Sequence, residues 1–425
     1  MSIFADLPAP QWRFYDPARI VRGKPMADWL RWSVAFWHSF AWPGADIFGA
    51  GTFRRPWMPG QPVTPERAAM RLDAAFDFLK RVEAPFFAFH DADVMADYDG
   101  IADYDRRFGE AVEGIGWRME ASDARLLWGT ANLFGHPRYA AGASTNPDPA
   151  VFGWAAHQVR RCLEATHALG GANYVLWGGR EGYDTLLNTD LKREMAQMGR
   201  FLSMVVDHKH RIGFTGQIML EPKPHEPMKH QYDRDVATCF AFLKAHGLEG
   251  EVTLNIEANH ATLAGSSFEH EVAMADALGV LGSIDINRGD PQNGWDTDQF
   301  PNNHLDLVPV MTVLLERGGL GAGGFNFDAK VRRQSMDPQD LLDAHVFGVD
   351  CLARALLAAE RLLDDGALPA FRAARYAGWD GEAGRAILAG ERTLAEVADA
   401  AMAAPEPEQR SGRQEWCEEQ VNVHG

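Results

Sequence analysis

Short apolar runs rich in β-branched and aromatic residues recur along this chain, with helical stretches between them. Eight are legible: RWSVAFW stops at Trp37, APFFAF before His90, ARLLW at Trp128, NYVLW at Trp177, GQIML before Glu221, VTLNI before Glu257, GVLGSI before Asp285 and GAGGFNF before Asp328. Runs that are apolar nearly throughout, rather than at alternate positions, belong to strands covered on both faces, the condition of a parallel sheet. The stretches between carry helix signals. In TPERAAMRLDAAFDFLKRVE, Thr64 stands as N-cap, Pro65 takes the first helical position and Glu66 lies in the first turn. Ala69, Leu72, Phe76 and Leu79 of the same stretch recur at the spacing of one helical face. NTDLKREMAQMGRFLSMVVDHKHR, YDRDVATCFAFLKAHG and SFEHEVAMADALG read the same way. Eight strands alternating with helices predict a (β/α)8 barrel over residues 1–335, with an N-terminal extension over about 1–30. From about residue 336 the sequence turns Ala- and Leu-rich, as in VDCLARALLAAERLLDD, and then polar. Residues 336–425 are therefore expected to form a C-terminal helical arm that grips another subunit.

Such barrels gather their chemistry at the carboxyl ends of the strands. Here Glu221, Glu257, Asp285 and Asp328 each follow a different strand run, and His260 lies one turn beyond Glu257. The next loop, RGDPQNGWDTDQFP, adds Asp296 and Asp298, whose spacing of two aims both at one target in an extended segment. A single carboxylate after a strand is usually a helix cap or a solvated loop residue. Number and placement carry the argument instead. Two carboxylates about 5 Å apart repel by roughly 3 kcal/mol at an effective dielectric of about 20. Six together must protonate or collect cations, and a pair of divalent ions, with help from Lys223 or Lys330, is the economical solution. Hard oxygen ligands select Mg²⁺ or Mn²⁺, and the one imidazole, His260, tilts one position toward Mn²⁺ or Co²⁺.

Further groups flank this cluster. FHDADV puts His90 and Asp93 just past the second run, where a carboxylate partner orients an imidazole and fixes its tautomer for proton transfer. Lys223, two residues after Glu221, aims an ammonium into the same cleft. Trp37, Trp128 and Trp177 stand at strand ends, with Phe134 shortly after one of them. Aromatics there pack, or make a dry wall beside a reacting carbon. Metals on one side and rings on the other suit a small, neutral, hydroxyl-rich molecule such as a sugar. The charge balance agrees: 41 Lys and Arg against 59 Asp and Glu give −18, which repels phosphate backbones and anionic membranes and argues against nucleic acid or a membrane as partner. Four scattered cysteines, no basic start followed by an apolar run, and no long apolar span point to a soluble protein of the cytoplasm.

In order, the motifs FHDADV, WGGREGY, LEPKPHEPMKHQYD, NIEANHATLAG, GSIDINRGDPQNGWDTDQFP and GGFNFDAKVRRQS resemble the xylose isomerase (glucose isomerase) family, in the longer, class II type. The resemblance runs from WHSFAWPGADIFG to SGRQE, almost the whole chain. It implies a barrel with a C-terminal arm, a homotetramer built as a dimer of dimers, and two Mg²⁺, Mn²⁺ or Co²⁺ ions per subunit. Glu221, Glu257, Asp285 and Asp328 would hold the first ion, with Glu257 bridging to a second completed by His260, Asp296 and Asp298. His90, oriented by Asp93, would open the sugar ring. Lys223 would bond the C1 oxygen, Asp298 would assist the proton between O2 and O1, and a hydride would pass from C2 to C1. Trp37, Phe134 and Trp177 would wall the pocket, Thr130 would touch substrate, and Phe48 would enter the neighbouring subunit's site. The resemblance also implies a cis peptide at Glu226–Pro227. The implied reaction is D-xylose to D-xylulose, with D-glucose to D-fructose slower; a related barrel acting on another aldose, such as rhamnose or ribose, remains the alternative. A metal-dependent phosphodiesterase or endonuclease is opposed by the net charge and the single metal-binding His. A non-catalytic metal-binding scaffold has no need of the His90–Asp93 pair or Lys223.

Overall fold

Trp32–Ala35 (β1), Phe86–His90 (β2), Arg125–Thr130 (β3), Asn173–Trp177 (β4), Gln217–Glu221 (β5), Val252–Glu257 (β6), Leu281–Asp285 (β7) and Phe325–Phe327 (β8) form a closed barrel in the computed structural model, which describes residues 2–58 and 62–425. Every neighbouring pair is parallel, and β8 closes on β1 through Phe325, Asn326 and Phe327 beside Trp32, Ser33 and Val34. Each expected run overlaps one of these strands, several of which extend one or two residues further, to His90, Thr130, Glu221, Glu257 and Asp285. The pairing sets the site residues side by side: His90 beside Thr130, Trp177 beside Glu221, and Glu257 beside Asp285. The first run pairs only as far as Ala35, because Trp37–Ala41 winds into a single wide helical turn.

Eight long helices follow the strands: Pro65–Val82 (α1), Ile101–Glu120 (α2), Pro149–Ala168 (α3), Leu191–Ile212 (α4), Val236–Ala245 (α5), Phe268–Ala277 (α6), Val308–Arg317 (α7) and Pro338–Asp365 (α8). The start of α1 has the expected chemistry, since Thr64 Oγ1 accepts from the Arg67 amide at 3.4 Å and Pro65 opens the helix. Its buried face carries Ala68, Leu72, Phe76 and Leu79, and Ala69 stays at the surface. Each large apolar side chain so buried contributes about 2 kcal/mol. The apolar layer between strands and helices is continuous and takes in Phe4, Tyr15, Val21 and Trp29 of the N-terminal segment together with Leu341, Val349 and Leu356 of α8. Asp350 on α8 ties that segment down, its carboxylate accepting from the amides of Arg13, Phe14 and Tyr15 at 2.9–3.1 Å. Beyond Gly366 come Ala367–Tyr376 (α9), Glu382–Leu388 (α10), Leu394–Met402 (α11) and Gln414–His424 (α12), in which Gly384 is the sole buried residue. None of the described helices is long and apolar enough to cross a membrane.

The barrel interior departs from the apolar reading of the strands. Ala88, Leu127, Trp128, Val175 and Met219 form a small apolar plug. Ser33, Asn173, Asn255, Ser283 and Asn326 are also buried. Each finds a partner, as buried polar groups must: Ser33 Oγ donates to Asn326 Oδ1 at 2.7 Å, and Ser283 Oγ to the Gly324 carbonyl at 2.9 Å.

One buried histidine lies outside the site. His345 on α8 is caged by Phe78, Phe300 and Phe327, and its Nδ1 bonds the Leu341 carbonyl at 2.8 Å while Nε2 has no partner among the described residues. Burial pushes its pKa down to about 4, against the Leu341 bond, which works the other way. The unfolded chain protonates first, so the stabilisation from this depressed pKa is present above pH ~6.5 and disappears toward pH 4. At about 1.4 kcal/mol per unit, the loss amounts to about 3 kcal/mol. Denaturant melts from pH 7 to pH 4 are expected to flatten by about this amount in His345→Leu; an unchanged slope would refute the assignment.

Candidate metal centre

The carboxyl ends of β5, β6, β7 and β8 bring Glu221, Glu257, Asp285 and Asp328 close enough that one oxygen from each lies within 4.8 Å of the others. Glu221, Glu257 and Asp285 are the last residues of their strands, and Asp328 follows the last residue of β8. Two further groups meet the same limit, Glu221 with Glu257 and His260, and Glu257 with Asp296 and Asp298. Glu257 belongs to all three. His260 sits on the short helix Ala258–Leu263, one turn past Glu257, with Nε2 3.0 Å from Glu257 Oε2 and 3.4 Å from Asp296 Oδ2. Asp298 adopts the left-handed region with φ 43°, which lets the D-T-D segment turn both acids inward.

Electrostatics sorts these carboxyls into two kinds. Burial, then repulsion from Asp285, raises Glu221; burial, then Asp296, raises Glu257; burial, then Asp328, raises Asp285. Asp296 and Asp328 go the other way. Burial opposes their charge, yet Lys223 and His260 hold Asp296 low, and His38 holds Asp328 low. Lys223 Nζ lies 2.5 Å from Asp296 Oδ2, and Lys330 Nζ 2.8 Å from Asp298 Oδ2. Burial disfavours both ammoniums, but Asp296 for Lys223 and Asp298 for Lys330 keep them above their ordinary values. Asp285 Oδ2 and His260 Nδ1 are buried with no hydrogen-bond partner among the described residues. Crowded oxygens, an imidazole and open lone pairs fit hard divalent cations.

Trp37, His90, Trp128, Thr130, Phe134 and Trp177 line one cavity with the acids, of about 230 Å³. Asp93 Oδ2 accepts from the His90 amide at 2.9 Å and lies 3.1 Å from His90 Nδ1. Trp37 meets the His90 ring edge-on at 4.6 Å, and Phe134 meets Trp177 at 4.4 Å. Lys223 Nζ stands 5.1 Å from the Trp177 ring. Thr130 lines the cavity, but its hydroxyl donates to the Val175 carbonyl. Phe48 does not line it: its ring is 76% exposed and lies 6.2 Å from Trp295. The Glu226–Pro227 peptide is cis.

Two features escaped the sequence reading. His38 Nε2 lies 2.8 Å from Asp328 Oδ1 and 3.2 Å from Asp298 Oδ2. Burial opposes its protonation, but Asp328 and Asp298 raise its pKa to about 9. An asparagine also serves the carboxylates one by one: Asn255 donates to Glu221 at 2.9 Å, Asn287 to Glu257 at 2.7 Å, Asn326 to Asp285 at 3.0 Å, and Asn259 to Asp296. The signal was present, since Asn255, Asn287 and Asn326 each stand two residues from a strand-end acid and so share its face.

Residues 372–424 match the model of the XylA2 C-terminal domain family. Among solved structures, L-ribulose 3-epimerase aligns with TM-score 0.51 and 14% identity over 79% of this chain and 97% of its own. D-allulose 3-epimerase from Methylomonas sp. aligns with TM-score 0.51 and 13% identity over 76% of this chain and 96% of its own. At such identities the likeness concerns the barrel alone. Sequence relatives say more. A xylose isomerase from Novosphingobium aromaticivorans is 60% identical over 97% of this chain and 94% of its own length. One from Burkholderia vietnamiensis is 57% identical over 99% of this chain and 98% of its own. Identity this high along nearly the full length of both proteins decides the matter: the chain belongs to the xylose isomerase family.

Proposed function

We propose that this chain interconverts an aldose and its ketose, D-xylose with D-xylulose, and D-glucose with D-fructose more slowly. The observation that carries the reading is one cavity lined by six carboxylates, His260, Trp37, Phe134, Trp177 and His90, whose ring Asp93 holds. Glu221, Glu257, Asp285 and Asp328 would hold one divalent cation, Mg²⁺, Mn²⁺ or Co²⁺, and Glu257, His260, Asp296 and Asp298 a second. Bound there, such ions supply Lewis-acid stabilisation of negative charge on sugar oxygens.

The chain's own residues do the rest. Asp93 holds His90 Nδ1, leaving Nε2 to carry the proton that opens the sugar ring. Lys223 donates to the C1 oxygen. Asp298 takes part in moving the O2 proton to O1, while hydride passes from C2 to C1, so the atoms balance without an external oxidant. The rings of Trp37, Phe134 and Trp177 keep water from the two carbons. Thr130 contributes to the pocket wall. Phe48 enters a neighbour's cavity in a homotetramer made of two dimers, a reading its exposure supports. Of the arm expected over residues 336–425, α8 packs into the barrel's apolar layer, and the helices beyond Gly366 serve that assembly, a reading supported by the exposed side chains of Leu388, Leu394 and Met402. Four unpaired cysteines support a reducing, cytoplasmic setting.

The test is an assay across xylose, glucose, ribose and rhamnose, with each metal added back to chelated protein. Turnover is expected to fall to background on chelation and return with Mg²⁺ or Mn²⁺, fastest on xylose. Tritium at C2 of xylose is expected to stay in the xylulose formed. Washout into water would replace the hydride shift with an enediol route.

A further inference from the structure

Among the described residues, Asn287 touches more of the acid cluster than any other uncharged side chain. It is buried, two residues past Asp285 on the loop that leaves β7. Its Nδ2 donates to Glu257 Oε1 at 2.7 Å and to the Asp328 carbonyl at 2.9 Å, with Asp298 Oδ1 at 3.3 Å. Its Oδ1 accepts the Asn259 amide at 2.9 Å, and Asn259 in turn donates to Asp296 Oδ1. One amide thus joins the ends of β6, β7 and β8 and the D-T-D loop.

The consequence falls on Glu257, the one carboxylate in all three groups. Its two oxygens are divided: Oε1 faces Asn287, and Oε2 faces His260 at 3.0 Å. A carboxylate without that fixed donor is free to rotate and to present either oxygen to either group. Only an amide meets the demands on this position. Its two N–H hydrogens serve the acceptors of two strands, and its carbonyl serves the Asn259 amide. An aspartate would set a further negative charge against Glu257, and an aliphatic side chain would leave buried groups unpaired.

We infer that Asn287 is a positioning residue that couples the two cation pockets by fixing the orientation of Glu257 and the backbone at Asp328. The inference rests on the two-cation reading above. Residues that orient metal ligands typically cost 10–100-fold in metal affinity when changed. The experiment is calorimetric titration of Mn²⁺ into chelated full-length protein, wild type and the variants Asn287→Ala and Asn287→Leu, with thermal melts of each metal-free protein. Wild type is expected to take up two ions. Both variants are expected to bind one of them at least 10-fold more weakly, and kcat is expected to fall more than KM changes. Metal-free melting temperatures are expected to stay within a few degrees of wild type. Two ions bound by the variants with unchanged constants would overturn the inference while leaving the two-cation reading intact. Fewer than two in wild type would overturn that reading itself. Metal-free variants that both fail to fold would make Asn287 a structural residue and would also overturn the inference.

Discussion

Glu257→Gln is expected to cut turnover by roughly 10³-fold or more while making the metal-free protein melt higher at pH 7. The first half follows from membership of Glu257 in every candidate cation group; losing one preorganised electrostatic partner of a reacting oxygen already costs roughly 10²–10³-fold. The second half follows from repulsion. Burial first, then Asp296, Asp328, Asp298 and Glu221, raises the Glu257 carboxyl above its ordinary value. A carboxyl raised on folding gives its stability in full below its unfolded pKa, near 4.3, and loses it as pH climbs. At pH 7 the metal-free wild type has therefore lost that stability, because folding opposes the ionisation that the unfolded chain allows this carboxyl. Glutamine keeps the shape and the acceptor for Asn287 and removes the charge. The gain is expected to be about 2 °C or more at pH 7 and to vanish near pH 4. Calorimetric melts of chelated protein at the two pH values check it, and a variant melting below wild type at pH 7 would contradict the account.

The second large effect is on stability and lies behind the cavity. Asp91, the residue after His90, is buried. Its Oδ1 accepts from the amides of Ala92 and Asn132, both at 2.8 Å, and its Oδ2 from Tyr104 Oη at 2.8 Å and Gln158 Nε2 at 2.9 Å. Four donors from the short helix after β2, from α2, from α3 and from the loop after β3 thus converge on one carboxylate. Asp91→Leu strands them all. At about 1 kcal/mol or more for each buried group left unpaired, the loss is expected to be about 4 kcal/mol or more. Denaturant unfolding of wild type and variant measures it, and a change below about 1 kcal/mol would mean that water replaces the carboxylate.

What was legible in the sequence was what strand and helix periodicity encode. The eight runs from RWSVAFW to GAGGFNF each overlap a barrel strand, and Thr64–Pro65 marks the start of α1. The strand-end acids were legible because a parallel barrel sends every strand's carboxyl end to one rim. His38 was not. It follows Trp37 on a wide helical turn, where the period of two no longer says which way a side chain points. The asparagines were overlooked for another reason: they are neutral, and a search for charge passes over the amides that orient it. The polar lining of Ser33, Asn255 and Asn326 was hidden inside runs whose apolar neighbours face the helices.

The pairing of β8 with β1 bears on how the polypeptide is made. Ser33 finds its partner Asn326 only after 293 further residues have been added. Until Phe327 clears the ribosome, Trp32–Ala35 remains an unpaired edge, and the most recently emerged strand is another. Loop closure of this length is slow, and open strands attract other chains. The nascent protein therefore spends most of its synthesis as a partial sheet with two open edges, and circular permutation would only move this late closure to another pair of neighbouring strands.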